Sequence, residues 1–516
     1  MSSAPSLDSV HRTPARGEVP DDPSRSDGFV RGLSEAIGGP IGEHASRSPA
    51  SRYGGPRFWT AARVVLALVC LTMSLHWVQK YPCDDGHWTK LEQYKYMCYT
   101  DVLALYYEDG LADGDLPYLD RPVEYPVVNA AMVTAIGWPV HSLAKHTKGL
   151  NEGQLFYNLT ALALAALAIA TAGLLLAVRR RRPWDIAMFA LAPGLFVAAT
   201  VNWDLLAVGL TAIGWYFWAK RRPALAGVFV ALGAATKLWP ALLVIPVLAL
   251  CWRARRMPEF GSALWAGFVT FVAVNLPVLL LWPKNWAHYY DVTINRSVDW
   301  GTIWYIGGHF PLGNDRYGLP PVQWVVDHPA ALNAVTWILI SGVLIFVSVL
   351  TLSAPRRPRL AQVAFLTVAL FLIVGKAWSE QFVLWLIPLA VLARPKWGAF
   401  IAWQAAEVVY FAAFYGRLPA EPPINKPIFP EWVFVWAAGL RLITLLVLVW
   451  LVVREILHPE LDVVRRSYRD DPDGGVLDGA PDRDDVDDLD AREFEEFEPD
   501  DATGADGQAT GSVPIR

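Results

Sequence analysis

Apolar runs of about 15 to 25 residues recur from residue 59 to residue 453, and many of the gaps between them are short and rich in arginine or lysine. A run of that length covers the ~30 Å hydrocarbon core of a bilayer as a helix, and a soluble domain has no use for so many. Composition agrees: 54% of the residues are hydrophobic and 18% charged, against roughly 25% charged in an average soluble domain. The 516-residue chain therefore reads as an all-α polytopic membrane protein. Secreted, fibrous and disulfide-scaffold architectures are excluded.

About twelve spanning helices are expected, near 59–78, 155–178, 184–200, 203–219, 224–236, 238–252, 261–282, 330–352, 360–376, 380–393, 397–415 and 432–453. Several fall short of the usual ~20 residues, which suits paired or tilted helices. The basic clusters are Arg52 with Arg57, Arg179 to Arg182, Lys220 to Arg222, Arg253 to Arg256, Arg356 to Arg359, Arg394 with Lys396, and Arg454. With twelve crossings all of them fall on one face. Short cytoplasmic loops retain positive charge, so that face is expected to be the cytoplasm, with both termini there. The agreement requires that the moderately apolar segment 126–144 does not cross. It is expected as a re-entrant or juxtamembrane helix, tolerable where protein covers its backbone.

Three regions follow: a leader over 1–57, a membrane domain over 58–456 and an acidic tail over 457–516. The leader is rich in Ser, Pro, Gly and Arg, and the tail carries Asp484, Asp485, Asp487 and Asp488 in close succession. Neither has apolar periodicity, so both are expected to be disordered, the tail as a solubilising or partner-docking extension. The long polar leader does not resemble the short n-region of a cleavable signal. The net charge of -5 averages this tail with the basic loops and gives no sign of a nucleic-acid partner. Cys83 and Cys98 share a polar loop and can pair if it faces an oxidising compartment, whereas Cys70 and Cys251 read as buried thiols in apolar runs.

The polar mass opposite the basic loops lies in 79–154, 283–329 and 416–431, and chemistry is sought there. Neither GxxxxGK[ST] nor GxGxxG follows a strand pattern, which disfavours an ATP-driven pump. The ten histidines show no HExxH or CxxC partner spacing, so no metal or other cofactor is expected.

Asp101 is the candidate general base. It sits in Tyr99-Thr100-Asp101-Val102-Leu103-Ala104-Leu105-Tyr106-Tyr107, whose apolar residues imply a helix at the membrane surface. A partly desolvated carboxylate there is more basic and suited to take a proton from a hydroxyl; the alternative is an ordinary interfacial acid. Glu124 and Tyr125 precede Pro126 at the mouth of the non-crossing segment, either lining a site or punctuating a helix start. Asn202 and Asp204, and separately Lys237, interrupt apolar runs at the same face. An ionisable group at such depth marks function by default. Lys237 needs an anion, which a lipid phosphate or an ion pair with Asp204 or Glu380 would supply. Lys376, Glu380 and Gln381 gather at another helix break that could equally be a plain turn. In the second loop, His288, Tyr289 and Arg296 stand among tryptophans and tyrosines. That mixture suits sugar rings or an interfacial aromatic belt.

Over roughly residues 95–395 the pattern resembles the actinobacterial GT-C class membrane glycosyltransferases that use polyprenyl-phosphate sugars, among them phosphatidylinositol-mannoside mannosyltransferases and arabinofuranosyltransferases. Asp101 with Tyr106 and Tyr107 resembles the family's Asp-x-x-x-Tyr-Tyr-like helix, in which the acid is the catalytic base. Gly114-Asp115-Leu116-Pro117-Tyr118 and Tyr125-Pro126-Val127 resemble its Gly-Asp-x-Tyr and Tyr-Pro-Pro segments, the second proline being absent. The most specific likeness is Arg222-Pro223-Ala224-Leu225-Ala226-Gly227 leading to Lys237-Leu238-Trp239-Pro240. Lys376 to Phe382 resembles Lys-x-x-Ser-Pro-Gln-Tyr, with Glu380 for proline and Phe382 for tyrosine.

The resemblance implies transfer of a sugar, mannose first and arabinofuranose next, from a polyprenyl-phosphate donor to an envelope glycolipid or glycan outside the cell membrane. Asp101 would deprotonate the acceptor, and Lys237, with Arg296 a weaker candidate, would neutralise the departing phosphate. Glu124, Tyr125, Asn202, Asp204, Lys376, Glu380, Gln381, His288 and Tyr289 would line the substrate pocket. The competing readings are a lipid or solute transporter, which should show internal repeats, and an inactive scaffold for envelope synthesis.

Overall fold

The structure, a computed structural model, describes residues 23–39, 58–86, 88, 91–313, 316–420, 424, 426–468 and 470–482. It is an all-α polytopic membrane protein; among the described residues the only sheet pairs Pro311–Gly313 with Arg316–Tyr317. Among the described residues, seven helices are long and apolar enough to cross a bilayer: Ala61–Cys83, Val127–His146, Glu152–Val178, Met257–Leu281, Pro329–Ser353, Trp397–Ala420 and Glu431–Leu457. Five shorter apolar helices accompany them: Asp204–Ala219, Pro223–Ala234, Trp239–Arg253, Leu360–Val374 and Glu380–Ala393.

The total equals the twelve expected, but the membership differs in two places. The stretch 184–200 is not one helix; it breaks into Pro183–Ile186, Ala187–Ala190 and Pro193–Ala198. Pro193 has no amide N–H to carry the preceding turn onward. The path still runs through the bundle, from Arg182, which bonds Ser467 at the arginine-rich end, to Val201, whose carbonyl accepts from the Asp101 amide at the other. Ile186, Met188, Phe189, Leu195 and Ala198 along it are buried. An interrupted backbone is tolerated at that depth because neighbouring helices enclose it.

Conversely, Val127–His146 is one continuous helix despite Pro139 and does not dip and return. Its first turn is tied to Ala235, whose carbonyl accepts from the Val128 amide at 3.0 Å. Farther along, Gly137 abuts Leu111 and Gly114 abuts His141, and His141 stands 3.7 Å from Glu152. Both ends therefore touch elements at the end of the bundle remote from the arginines.

Helices Pro223–Ala234 and Met257–Leu281 approach until a Cβ on Gly227 would run into the backbone carbonyl of Ala263. Such small-residue contacts let membrane helices gain packing where no hydrophobic drive exists between them. The centre is formed by Leu360–Val374 and Val383–Ala393, the latter buried along its whole length.

The chain beyond Leu457, expected to be disordered, is folded as far as Asp482, through Pro459–Leu461, Val463–Tyr468 and Gly475–Leu477. Its acids meet the arginines of the interhelical loops. Asp473 lies 2.6 Å from Arg179, both without solvent exposure, Asp462 2.7 Å from Arg359, Asp470 2.9 Å from Arg357 and Asp482 2.6 Å from Arg253. Charges that repel within a tail become counter-ions when arginines from three interhelical loops surround them. Burial works against ionisation of Asp462, yet Arg359 and Arg465 hold its carboxyl below the usual range. In the leader, Gly28–Gly38 is helical, and Asp27 caps it while accepting from the Trp397 amide at 2.6 Å. The runs from Asp484 onward and the rest of the leader lie outside the described residues.

Cys83 and Cys98 form a disulfide that closes a fifteen-residue span of the first loop. Cys251 is buried as expected, but Cys70 is exposed on the outer surface of the first helix.

Candidate functional site

Thr100 starts the short helix Asp101–Glu108 by accepting from the Val102 amide, and its hydroxyl donates to the Thr200 carbonyl at 2.6 Å. The Asp101 amide in turn donates to the Val201 carbonyl at 2.8 Å. Asp101 is thereby pinned to the polar turn that precedes helix Asp204–Ala219, in a first-turn position where a carboxylate is favoured by the helix dipole. Val102, Leu103 and Tyr106 bury the opposite face of the helix.

Asn202, in that turn, is the hub. Its amide donates both to Asp101 Oδ2 at 2.8 Å and to the Tyr125 hydroxyl at 2.7 Å. The Tyr125 ring lies under Lys237, whose Nζ is 5.0 Å from the ring centroid and 5.9 Å from that of Phe382. Lys237 Nζ is 3.7 Å from Asp204 Oδ2, longer than an ordinary N–H···O bond. Asp204 Oδ1 accepts from the Trp385 indole at 2.7 Å, and Trp385 stacks between Trp239 and Phe382. Five residues singled out from four separate stretches of sequence, Asp101, Tyr125, Asn202 with Asp204, and Lys237, thus occupy one site. Burial pushes the Asp101 carboxyl above its usual range, and the Asn202 amide and Lys237 ammonium only partly pull it back.

Glu380 and Gln381 open helix Glu380–Ala393, where Glu380 is within electrostatic reach of Asp101. Glu380 Oε2 and Gln381 Oε1 are enclosed and accept no hydrogen bond from the described residues. Buried polar atoms are normally satisfied, so these two are available to a ligand or to water.

Arg296 Nη2 stands 4.0 Å from Glu124, both largely exposed. Tyr289 and His288 belong to helix Pro283–Asn295, and Tyr289 lies within the field of Arg296. That helix is joined to the centre through Tyr118: Asn285 donates to its carbonyl at 2.7 Å, and its hydroxyl donates to the Tyr125 carbonyl. Lys376 is committed elsewhere, donating to the Ile294 carbonyl and to Asn333 Oδ1, each at 2.5 Å. It ties the helix break to the loop helix.

The supports of the 376–382 break escaped the sequence reading. Asp299 Oδ2 accepts from the Trp378 amide at 3.1 Å and the Ser379 hydroxyl at 2.8 Å. From the last span, Arg441 donates to the Trp378 and Ser379 carbonyls at 3.0 Å, pairs with Glu407 at 2.8 Å and lies between the Trp378 and Tyr410 rings. An arginine within a span was the available signal, since such charges are rarely idle. Lys80 was missed as well, because a lysine ending a span reads as snorkelling to the interface.

No curated protein matches the chain. Residues 142–379 match the family model described as Glycosyltransferase family 87. The matched stretch contains Asn202, Asp204, Lys237, His288, Tyr289, Arg296 and Lys376, and it stops short of Asp101 on one side and Glu380 on the other. Read with the apolar helices, the match supports a membrane glycosyltransferase.

Proposed function

We propose that the protein transfers a sugar, mannose first and arabinofuranose next, from a polyprenyl-phosphate donor to a hydroxyl of an envelope glycolipid or glycan. The single observation that carries the reading is Asn202, whose amide joins Asp101 to Tyr125 directly beneath Lys237. A carboxyl of raised basicity and a deeply set ammonium on either side of the Tyr125 ring supply the base and the counter-charge that displacement at a sugar phosphate uses.

In this reading the acceptor hydroxyl gives its proton to Asp101 as its oxygen bonds to the anomeric carbon. The bond from that carbon to the phosphate oxygen breaks, and the electron pair leaves with the polyprenyl phosphate. Lys237 meets the charge that grows there. Its loose 3.7 Å contact with Asp204 leaves ammonium protons for the phosphate. Glu380 and Gln381 supply the buried acceptors for sugar hydroxyls, and Arg296 with Glu124, His288 and Tyr289 forms the entrance.

In this reading the site faces the extracytoplasmic side of the cell membrane and both termini are cytoplasmic. Arginines concentrated at the opposite end support this orientation, as does a disulfide in the first loop, since such bonds persist in oxidising compartments. The test uses membranes containing the protein, radiolabelled polyprenyl-phosphate mannose or arabinofuranose, and Asp101→Asn beside the wild type. Labelled glycolipid or glycan that depends on Asp101 supports the reading. Absence of transfer from both donors, or full turnover by the variant, defeats it.

A further inference from the structure

Lys80 ends the first long helix, is 1% exposed, and stands among aromatic side chains rather than at a wet surface. Its Nζ donates to the Tyr99 carbonyl at 2.9 Å and reaches the Met97 carbonyl at 3.5 Å. The Phe411 and Tyr415 rings flank it at 5.5 and 5.4 Å. The Tyr415 hydroxyl donates to the same Tyr99 carbonyl at 2.9 Å. Two donors therefore hold the peptide that lies two residues before Asp101. Carbonyls and rings stabilise an ammonium but do not neutralise it, and a buried cation needs an anion. The carboxylates within its field are Glu380 and Asp101. Lys237, paired with Asp204, also acts on Asp101, and Arg441 acts on Glu380, so Lys80 is a further cation beside these carboxylates, one set apart by its hold on the Tyr99 carbonyl.

We propose that Lys80 is a positioning residue for Asp101: it fixes the turn from Tyr99 to Asp101 and keeps the carboxylate charged and ready to accept a proton. The inference rests on the base role given to Asp101 above. The groups facing this pair come from every neighbouring element. His76, one turn earlier on the same helix, is held by the Phe196 carbonyl at 2.5 Å and the Thr200 hydroxyl at 2.7 Å. Tyr99 precedes the acid, Tyr125 and Asn202 bond as described, and Asp204, Lys237, Glu380 and Tyr415 complete the set. Among them Lys237 acts on Asp101 as well as pairing with Asp204, and Asp299 and Arg441 face Glu380. In a low-dielectric surrounding, loss of the Lys80 charge is felt at Asp101 even without direct contact.

The experiment compares Lys80→Gln, Lys80→Met and Lys80→Arg with the wild type in the full-length protein in lipid nanodiscs, with sugar transfer followed across pH and thermal unfolding measured alongside. A base works only when deprotonated, so removing a nearby cation moves the acidic limb of kcat to higher pH, by about one unit or more. Lys80→Gln and Lys80→Met are expected to show that shift, and Lys80→Arg to return the limb to its wild-type position. A folded neutral variant whose acidic limb coincides with the wild type, while Asp101→Asn is inactive, overturns the inference and leaves the base role intact. Full turnover by Asp101→Asn instead removes the reading on which both rest. If neither neutral variant folds while Lys80→Arg is stable and active, Lys80 has a structural role alone and the proposal is overturned.

Discussion

Lys237 stands 3.7 Å from an Asp204 carboxylate that has no solvent exposure. The pair unites the break between two short helices with the turn that also holds Asp101, so its integrity and the chemistry of the site are separable by substitution. Lys237→Met leaves Asp204 enclosed without its cation, which costs about 3–5 kcal/mol. Combining it with Asp204→Asn keeps an acceptor for the Trp385 indole and removes the stranded charge. The double variant is expected to unfold near the wild-type temperature yet to transfer sugar at least 100-fold more slowly. Recovery of both stability and turnover would show Lys237 to be structural only.

Asp101→Asn retains an oxygen for the Asn202 amide but cannot take a proton. Turnover is expected to fall on the order of 10²–10⁴-fold with little change in unfolding temperature. Because burial raises the Asp101 carboxyl, wild-type activity should rise with pH through a value above the ordinary ~3.9 of an aspartate. A pH-rate profile flat down to that value would contradict the assignment.

Gly227 faces the Ala263 backbone so closely that a methyl group has no room. Gly227→Ala is expected to lower stability by about 1–3 kcal/mol through forced separation of the two helices. Gly173, within Glu152–Val178, has nothing near its Cβ position. Gly173→Ala should be neutral or slightly stabilising, since it removes only backbone freedom. Equal thermal unfolding of the two variants would refute the packing argument.

Burial, with Asp471 and Asp470 beside it, pushes the Asp478 carboxyl up to about 7. A carboxyl raised on folding favours the folded state when protonated. Its contribution is complete below the unfolded value of ~3.9 and is lost as pH rises through the folded value. Asp462, held low by Arg359, weakens only when pH falls below the ordinary carboxylate range. The folded tail should therefore be most protected near about pH 4 and loosen progressively as pH rises toward about 7. Amide exchange or limited proteolysis of 463–477 would report this, and Asp478→Asn should flatten the upper side. Protection that increases from pH 6 to 8 would reverse the sign and discard the argument.

Much of the site was legible because polar residues inside apolar runs are conspicuous. Asn202, Asp204 and Lys237 each break a hydrophobic stretch, and the structure brings them to Asp101 and Tyr125. Lys376 was equally conspicuous but serves the scaffold, a distinction that depends on Asn333 and Ile294, which no local pattern links to it. Hydropathy located the path over 184–200 but not its breaks, because burial among other helices relaxes the demand for a continuous helix. The acidic segment after Leu457 was misjudged for a related reason. Its charges were weighed against one another, whereas their partners Arg179, Arg253, Arg357 and Arg359 lie 100 to 300 positions away in sequence.

The docked acidic segment bears directly on how the protein is handled. Ending an expression clone at the last long helix would discard Asp462, Asp470, Asp473 and Asp482 and leave their arginine partners facing empty space or one another. Affinity tags, fluorescent fusions and crystallisation truncations therefore belong after residue 482, where they leave the seal over the arginine-rich end untouched.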